Sequence, residues 1–175
     1  MVVENKTVLL MNADYTPLGL ISWKKAIKLL VKKKVDVVKY SEHILHNAEK
    51  TIKMFIPLVI KLIKYVRMMF GKRVPYNKKN LLIRDGHVCA YCGVKLDTHN
   101  ASIDHIKPRS LGGQTTFENT VSSCIKCNNK KDNRTCAKAN MYPKIRPYTP
   151  TITEFITIHI RNLGMDKMLK ELGVI

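Results

Sequence analysis

The sequence predicts an α+β protein whose central part, residues 89 to 131, is a pair of short strands followed by a helix. Two Cys-x-x-Cys pairs enclose this part, one before the strands and one at the start of the helix. Between the pairs, residues 102–106 and 117–123 contain branched residues bounded by Pro and Gly, which is typical of short strands. Residues 124–139 show no strand alternation and favour a helix.

The four paired cysteines predict a structural zinc site. Zn²⁺ prefers four ligands in a tetrahedron, and one Cys-x-x-Cys turn supplies two thiolates to the same ion. Residues 93–123 separate the pairs, so the metal would close a long loop that has structure of its own. Disulfides are the alternative, but they need an oxidising compartment, and residues 1–30 lack a signal-peptide pattern. A fifth cysteine, Cys136, is left over. The predicted zinc ligands are Cys89, Cys92, Cys124 and Cys127.

Polar side chains that suit catalysis flank the predicted strands. Asp104 and His105 lie near the end of the first strand, Asn119 at the entrance of the second, and Asn128 directly after the last cysteine. Cys124 and Asn128 are i,i+4 neighbours on the predicted helix. A metal at the cysteines would therefore fix Asn128 relative to the strand that carries Asp104.

The order of these motifs, CxxC, DHxxPxSxGG, EN and CxxCNxxK, resembles the HNH endonucleases, whose core is a ββα-metal fold. The resemblance covers roughly residues 78–135. The stretch VLLMNADYTPLGLISWKKAI near the start also resembles a leader found on some phage and bacterial HNH proteins. The chain departs from the family at Asp132-Asn133, where Gly-Asp is common, and at Cys136, where Pro is common.

The resemblance implies a metal-dependent endonuclease that hydrolyses DNA phosphodiester bonds, by a nick or a double-strand cut, and leaves 5′-phosphate and 3′-hydroxyl ends. It implies His105 as the general base, and Asp104 and Asn128 as ligands of a catalytic Mg²⁺ or Mn²⁺. These residue types suit the roles, because carboxylate and amide oxygens are hard ligands and a neutral imidazole accepts protons near neutral pH. Asn119 is expected to hold the loop between the strands and so orient the base. Adjacent strand residues point to opposite faces, so a bend near Pro108 is needed to bring Asp104 and His105 to one site.

The charge of the chain predicts a polyanionic partner. The net charge is +18, from 31 Lys and Arg against 13 Asp and Glu. An AT-rich genome also enriches lysine, and we expect both causes to contribute. No apolar run reaches the length of a membrane span. Six basic side chains near the predicted site are the candidates for DNA contact: Lys107, Arg109, Lys126, Lys130, Lys131 and Arg134.

Three regions are expected along the chain. Residues 1–71 form a small α/β accessory module, residues 72–140 the nuclease domain with its zinc site, and residues 141–175 a Pro-rich connection followed by C-terminal helices. The accessory module serves either as a packing partner or as a surface for DNA or another protein. In this module we expect strands at 7–11 and 35–40 and a helix capped by Ser22. In the rest of the chain we expect a helix capped by Asn77 and helical periodicity over 152–172, broken near Gly164.

Two other classes of function stay open. A zinc module that binds nucleic acid without cleaving it is one, although Asp104, His105 and Asn128 are all present. An accessory subunit of a larger machine, such as phage DNA packaging, is the other, and its activity would depend on a protein partner. A cytoplasmic location and a bacterial or phage origin are expected in each case.

Overall fold

The computed structural model describes residues 7–46, 49, 51, 53–67, 71–171 and 173. It divides into two compact units, each of which is described on its own. The N-terminal unit comprises Met1–Met69 together with Lys167–Ile175, and the central unit comprises Phe70–Asp166. Helices and strands are both present, and the α+β class predicted from the sequence is confirmed.

The N-terminal unit contains a four-stranded mixed sheet in the order β2-β1-β4-β3. Strand β1 pairs antiparallel with β2 and parallel with β4, and β3 pairs antiparallel with β4. The elements are β1 Thr7–Met11, β2 Pro17–Ser22, α1 Trp23–Val31, β3 Val35–His46 and β4 Lys53–Leu62, with α6 Asp166–Glu171 at the end of the chain.

Local sequence accounts for most of this unit. Ser22 caps α1 by accepting a hydrogen bond from the backbone N–H of Lys25 at 3.4 Å, as predicted. The apolar side of α1 packs through Ala26 against Val8 and Ile60 of the sheet, and this cluster forms the core. Strand β3 is longer than the expected 35–40, and β2 was not predicted. Strand β4 was not predicted either.

The central unit contains the two-stranded sheet and the helix that the cysteine spacing predicts. Strands β5 and β6 pair antiparallel, and α3 follows β6 directly. Asn77 caps α2 as expected, by accepting from the N–H of Asn80 at 2.8 Å. Phe117 and Leu81 pack with Val74 beneath the sheet. The elements are α2 Lys78–Arg84, β5 Ala101–His105, β6 Thr120–Cys124, α3 Ile125–Lys131, α4 Cys136–Ala139 and α5 Ile152–Asn162.

One prediction for this unit is wrong: residues 124–139 are not a continuous helix. Helix α3 ends at Lys131 because Asp132 has a positive φ of 50°, which the right-handed helix cannot contain. A second, short helix, α4, then begins after Thr135, whose side chain caps it. The expected break near Gly164 is confirmed, and Gly164 has a φ of +68°. Within the described ranges, no helix is long and apolar enough to cross a membrane.

A buried ion pair connects the end of α2 to the strand pair. The Arg84 guanidinium lies 2.7 Å from the Asp85 carboxylate, and both side chains are 1% exposed. Arg84 also donates to the backbone oxygens of Phe117 and Thr120 at 2.6 and 2.9 Å. Asp85 in turn accepts from the N–H of Ser122 on β6 at 2.7 Å. This pair therefore positions β6, and with it the start of α3.

Removal of the Asp85 carboxylate should destabilise the central unit strongly. The Asp85→Ala substitution leaves the Arg84 charge buried and unpaired, which typically costs about 3–5 kcal/mol. Urea unfolding followed by circular dichroism should show a lower midpoint for the central unit. The matched control, Asp36→Ala, removes an exposed carboxylate and should change stability by no more than about 0.5 kcal/mol. Equal midpoints for the two variants would contradict this account.

Candidate active site and cysteine cluster

The four paired cysteines converge in the central unit. Cys89 and Cys92 lie in the turn that follows α2, Cys124 is the N-cap residue of α3, and Cys127 lies in the first turn of that helix. Their Sγ atoms all lie within 4.8 Å of one another, and the Sγ atoms of Cys92 and Cys124 are 3.9 Å apart. A disulfide needs about 2.05 Å. Metal–sulfur bonds of about 2.3 Å in a tetrahedron place the sulfurs about 3.8 Å apart. The cluster therefore fits one metal ion.

The thiols of the cluster differ in their acidity. Burial opposes ionisation of Cys89, but hydrogen bonds from the backbone N–H groups of Cys92 and Cys124 outweigh it and lower the pKa of Cys89 to about 7. Burial, followed by hydrogen bonding to the sulfur of Cys124, raises the pKa of Cys127. A cation is therefore needed to hold all four sulfurs as thiolates, and its binding releases protons.

Asp104, His105 and Asn128 line one cavity of about 260 Å³. Asp104 and His105 come from the end of β5, and Asn128 comes from the middle of α3. Although Asp104 and His105 are adjacent on the strand, both line this cavity. Pro108 lies in its wall, immediately beyond the strand. The other lining residues are Ile103, Arg109, Asn129, Asp132 and Asn133.

Asp104 is a buried carboxylate, 4% exposed, with two partners. One oxygen accepts from the ammonium of Lys131 at 3.0 Å, and the other accepts from the hydroxyl of Tyr91. Burial, followed by the hydrogen bond to Asp104, raises the pKa of Tyr91, so the phenol stays protonated and remains a donor. Tyr91 lies between the cysteines of the first pair, so it connects the cysteine cluster to Asp104.

Lys131 is placed differently from the sequence-based prediction. Its side chain is fully buried, and its ammonium also donates to the backbone oxygen of His105 at 2.8 Å. The expectation that Lys131 projects from the helix toward DNA is therefore wrong. The physical reason is that the buried carboxylate of Asp104 requires a cation beside it.

His105 is held by the loop that follows β5. Its Nε2 atom lies 2.8 Å from the hydroxyl oxygen of Thr115. Burial, followed by the charge of Arg109, lowers the pKa of His105. The neutral imidazole, which can accept a proton, is therefore favoured at neutral pH.

Asn128 and Asn119 have different surroundings. The Nδ2 of Asn128 donates to the Ser102 hydroxyl at 2.7 Å, which leaves its amide oxygen available to a cation. Asn119 lies between the strands, where its Oδ1 accepts from the N–H of Lys107 at 2.9 Å and its Nδ2 donates to the backbone oxygens of Lys107 and Gln114. Asn119 therefore ties the two ends of the loop together and does not line the cavity.

The same loop explains the Gly-Gly motif. A Cβ atom on Gly113 would lie 1.9 Å from the backbone oxygen of Lys107, so only glycine fits this close approach. The N–H of Gly113 donates to the oxygen of Pro108 at 3.0 Å.

Five of the six predicted DNA-contact residues are exposed. Arg109 lines the cavity, and Arg134 is tied to α3 through a hydrogen bond from its Nε to the backbone oxygen of Lys131 at 3.2 Å. The exposed residues are Lys107, Arg109, Lys126, Lys130 and Arg134.

Sequence reasoning missed three residues of the site, Ser102, Tyr91 and Thr115, and assigned Lys131 the wrong role. Lys131 follows Asn128 by three positions, so it shares a helix face with Asn128 and could have been predicted to point toward β5. Ser102 precedes Asp104 by two positions and so shares its strand face. Tyr91 and Thr115 carry no comparable signal, because they belong to turns whose course depends on the folded structure.

Comparisons with known proteins find similar sequences for both units of the chain. The family model described as HNH endonuclease matches residues 89–143. The model described as HNH endonuclease-associated, N-terminal domain matches residues 8–70. The CRISPR-associated endonuclease Cas9 of Corynebacterium diphtheriae (strain ATCC 700971 / NCTC 13129 / Biotype gravis) is 48% identical over 46 residues, which are 26% of this chain and 4% of that relative.

Among solved structures, the Type II-C Cas9 enzyme from Actinomyces naeslundii matches with 23% identity and a TM-score of 0.32. The match covers 54% of this chain and 12% of that one, and a TM-score at this level does not indicate a shared overall fold. The two family models, which cover the N-terminal unit and the cysteine-bounded core separately, show that the chain belongs to the HNH endonuclease family.

Proposed function

We propose that this chain is a divalent-cation-dependent endonuclease that hydrolyses DNA phosphodiester bonds, with His105 as the general base. The observation that carries the proposal is the single cavity lined by a carboxylate, an imidazole and an amide, from Asp104, His105 and Asn128. Phosphodiester hydrolysis needs a base for the attacking water and positive charge near the phosphate. His105 can supply the base, and a divalent cation held by the oxygens of Asp104 and Asn128 would supply the positive charge.

Asp104 and Asn128 would hold the catalytic cation. Their oxygens are hard donors suited to Mg²⁺ or Mn²⁺, whose remaining positions are taken by water and phosphate oxygens. The Asn128 amide is turned by its bond to Ser102 so that its nitrogen is engaged and its oxygen is available. The bound cation would supply neutralisation of the charge that builds up on the phosphate.

His105 would take a proton from the attacking water through its neutral ring. Arg109, which lies in the same cavity, favours that neutral form and is also placed to contact a phosphate. Asn119 ties down the loop that carries Thr115, and Thr115 fixes the ring of His105. These two residues therefore act through His105 and do not contact the substrate.

Lys131 and Tyr91 would orient Asp104. The ammonium of Lys131 reduces the cost of burying a negative charge, and the phenol of Tyr91 fixes the second carboxylate oxygen. Both bonds restrict the carboxylate to one orientation, and groups that orient metal ligands typically affect metal affinity about 10–100-fold.

The cysteine cluster would hold a structural Zn²⁺. Four thiolates satisfy the ion completely, so it has no open position for catalysis. The ion would join the turn after α2 to the start of α3, and in this way it supports the helix that carries Asn128 and Lys131. The catalytic cation and the zinc are separate in this proposal.

Alanine substitutions of the three cavity residues should change either the cleavage rate or the metal concentration needed for cleavage. His105→Ala should retain DNA and metal binding but lose about 10²–10⁴-fold in cleavage rate, because only the base is removed. Asp104→Ala and Asn128→Ala should instead raise the Mg²⁺ or Mn²⁺ concentration needed, the former more strongly. The measurement is the rate of plasmid nicking against metal concentration.

None of these three variants should release zinc, which elemental analysis would check in parallel. A His105→Ala variant that cleaves at the wild-type rate would overturn the proposed mechanism. Absence of cleavage by the wild-type chain on supercoiled, linear and single-stranded DNA with either cation would instead favour a binding module.

The Tyr91→Phe substitution should weaken the catalytic metal site without disturbing the zinc. It removes one hydroxyl and leaves one oxygen of Asp104 without its donor. We expect the metal concentration for half-maximal cleavage to rise about tenfold. Tyr142→Phe removes an exposed hydroxyl and is the matched control. If the two variants require the same metal concentration, Tyr91 does not orient Asp104.

Loss of one cysteine ligand should remove the zinc and destabilise the central unit. Wild-type protein should contain about one zinc per chain, while Cys89→Ser and Cys124→Ser should contain little and unfold at lower temperature, because structural zinc contributes folding free energy directly. Cys136→Ser is the control, since Cys136 lies outside the cluster and its loss should leave the zinc content unchanged. A folded, active wild-type protein free of zinc would rule out this assignment.

A further inference from the structure

The N-terminal unit carries a dense group of lysines that the proposed nuclease chemistry does not use. Lysine occupies six of the eleven positions from 24 to 34. All six are exposed, on α1 and in the turn between α1 and β3. Among the described residues, both ion pairs lie in the central unit, so none of these ammonium groups is neutralised by a carboxylate. We call Lys24, Lys25, Lys28, Lys32, Lys33 and Lys34 the lysine surface.

Two of these lysines stand where a helix disfavours positive charge. Lys24 and Lys25 lie in the first turn of α1, and that turn contains no acidic residue. The helix dipole places partial positive charge at this end, so acidic side chains are the stabilising choice there. The two cations therefore gain nothing from the helix dipole, although the ammonium of Lys24 also lies over the Trp23 ring, 5.8 Å from its centroid.

Lys33, in the turn after α1, has a strained backbone conformation. Its φ is 51°, in the left-handed region, where glycine is the favoured residue. The backbone forms the usual terminating pattern of a helix, with bonds from Lys33 N–H to the Leu30 oxygen at 2.9 Å and from Lys34 N–H to the Leu29 oxygen at 3.0 Å. A lysine at this position therefore costs backbone strain that glycine would avoid.

A recess of about 480 Å³ lies beside this turn. Three lysines, Lys33, Lys34 and Lys64, are among the residues that line it. The apolar lining comes from Leu62, Ile63 and Val66, of which the last two are about half exposed. The recess therefore combines positive charge with an apolar surface.

Backbone hydrogen bonds fix the two walls of the recess. The N–H of Ile63 donates to the oxygen of Lys34 at 3.1 Å. The buried side chain of Asn12 accepts from the N–H of Val66 at 2.9 Å and donates to its oxygen at 2.8 Å. The segments that carry Lys34 and Lys64 are thus held in place before any ligand binds.

We propose that the lysine surface and this recess form a DNA-binding site of the N-terminal unit that is separate from the cleavage cavity. The lysines would contact phosphates, and the recess would receive the sugar or base face of one nucleotide against its apolar lining. The choice of DNA as the polyanion rests on the proposed function. Lysine ammonium groups are point charges that contact phosphate without sequence information, so binding here is independent of sequence.

Binding is measured apart from cleavage, by fluorescence anisotropy of the full chain with a labelled DNA duplex in EDTA, over salt concentrations from about 50 to 200 mM. The Lys24→Gln/Lys25→Gln/Lys28→Gln variant keeps the helix propensity nearly unchanged. We expect weaker binding, and a slope of log K against log salt that is shallower by about 0.9 for each phosphate that the variant no longer neutralises.

The matched control removes the same charge elsewhere, from the exposed Lys95, Lys144 and Lys170 by the same substitution to Gln. It should bind more tightly than the surface variant and keep a steeper salt dependence. Equal affinities and equal slopes for the two triple variants would overturn the proposal, because the basic residues would then act only through net charge.

Lys33→Gly provides the sharper test. It relieves the left-handed strain, so the midpoint of thermal unfolding should rise, while the slope of log K against log salt should become shallower by about 0.9. A gain in stability with unchanged DNA binding would contradict the use proposed for Lys33.

Poly-glutamate in place of DNA tests the class of partner. It carries the charge but has no flat base or sugar, so it should compete poorly at equal charge concentration. Equal competition would point to an acidic protein and overturn the assignment to DNA. If the wild-type chain cleaves DNA but the surface variants bind DNA as tightly as the control variant, only the proposed second DNA-binding site is rejected. A chain that binds as expected but never cleaves would reject the proposed function alone.

Discussion

A carboxylate that is buried and charged must be paired, and this requirement on Asp104 governs the arrangement of the whole site. Its partners come from two separate parts of the chain, Tyr91 from the turn between the first two cysteines and Lys131 from the last turn of α3. Both must be in place for the carboxylate to remain where it is. The ammonium of Lys131 also bonds to the backbone of His105, so one side chain fixes two consecutive residues of β5.

The cysteine cluster lies at the opposite end of α3 from Lys131. It joins the turn that carries Tyr91 to the start of α3, while Lys131 lies at the end of that helix. Asn128 lies between these two fixed points and is bonded to Ser102 on β5. The helix is only seven residues long, which is too short to be stable in isolation, so these attachments must supply its stability.

The sequence predicted those features that depend on chemistry at fixed spacing. The cysteine pairs, the polar residues at the end of β5 and the caps of α1 and α2 belong to this class, because each needs particular atoms at particular positions. Two failures share another origin. The helix break at Asp132 needs a left-handed residue that is not glycine, which local sequence does not signal. Lys131 was judged by its residue type, whereas its helix face and the carboxylate opposite decide its position.

The burial of Lys131 also changes how charge is distributed around the site. A lysine that neutralises Asp104 is not available to a phosphate, so the positive charge left at the cavity itself comes from Arg109. The other exposed cations of this region lie outside the cavity, where they can contact DNA phosphates without reading the base sequence. A small polar cavity with one lining cation is suited to placing a single phosphodiester, and much less to holding a long duplex. In a chain with a net charge of +18, most of the electrostatic attraction for a polyanion must therefore come from residues that take no part in the chemistry.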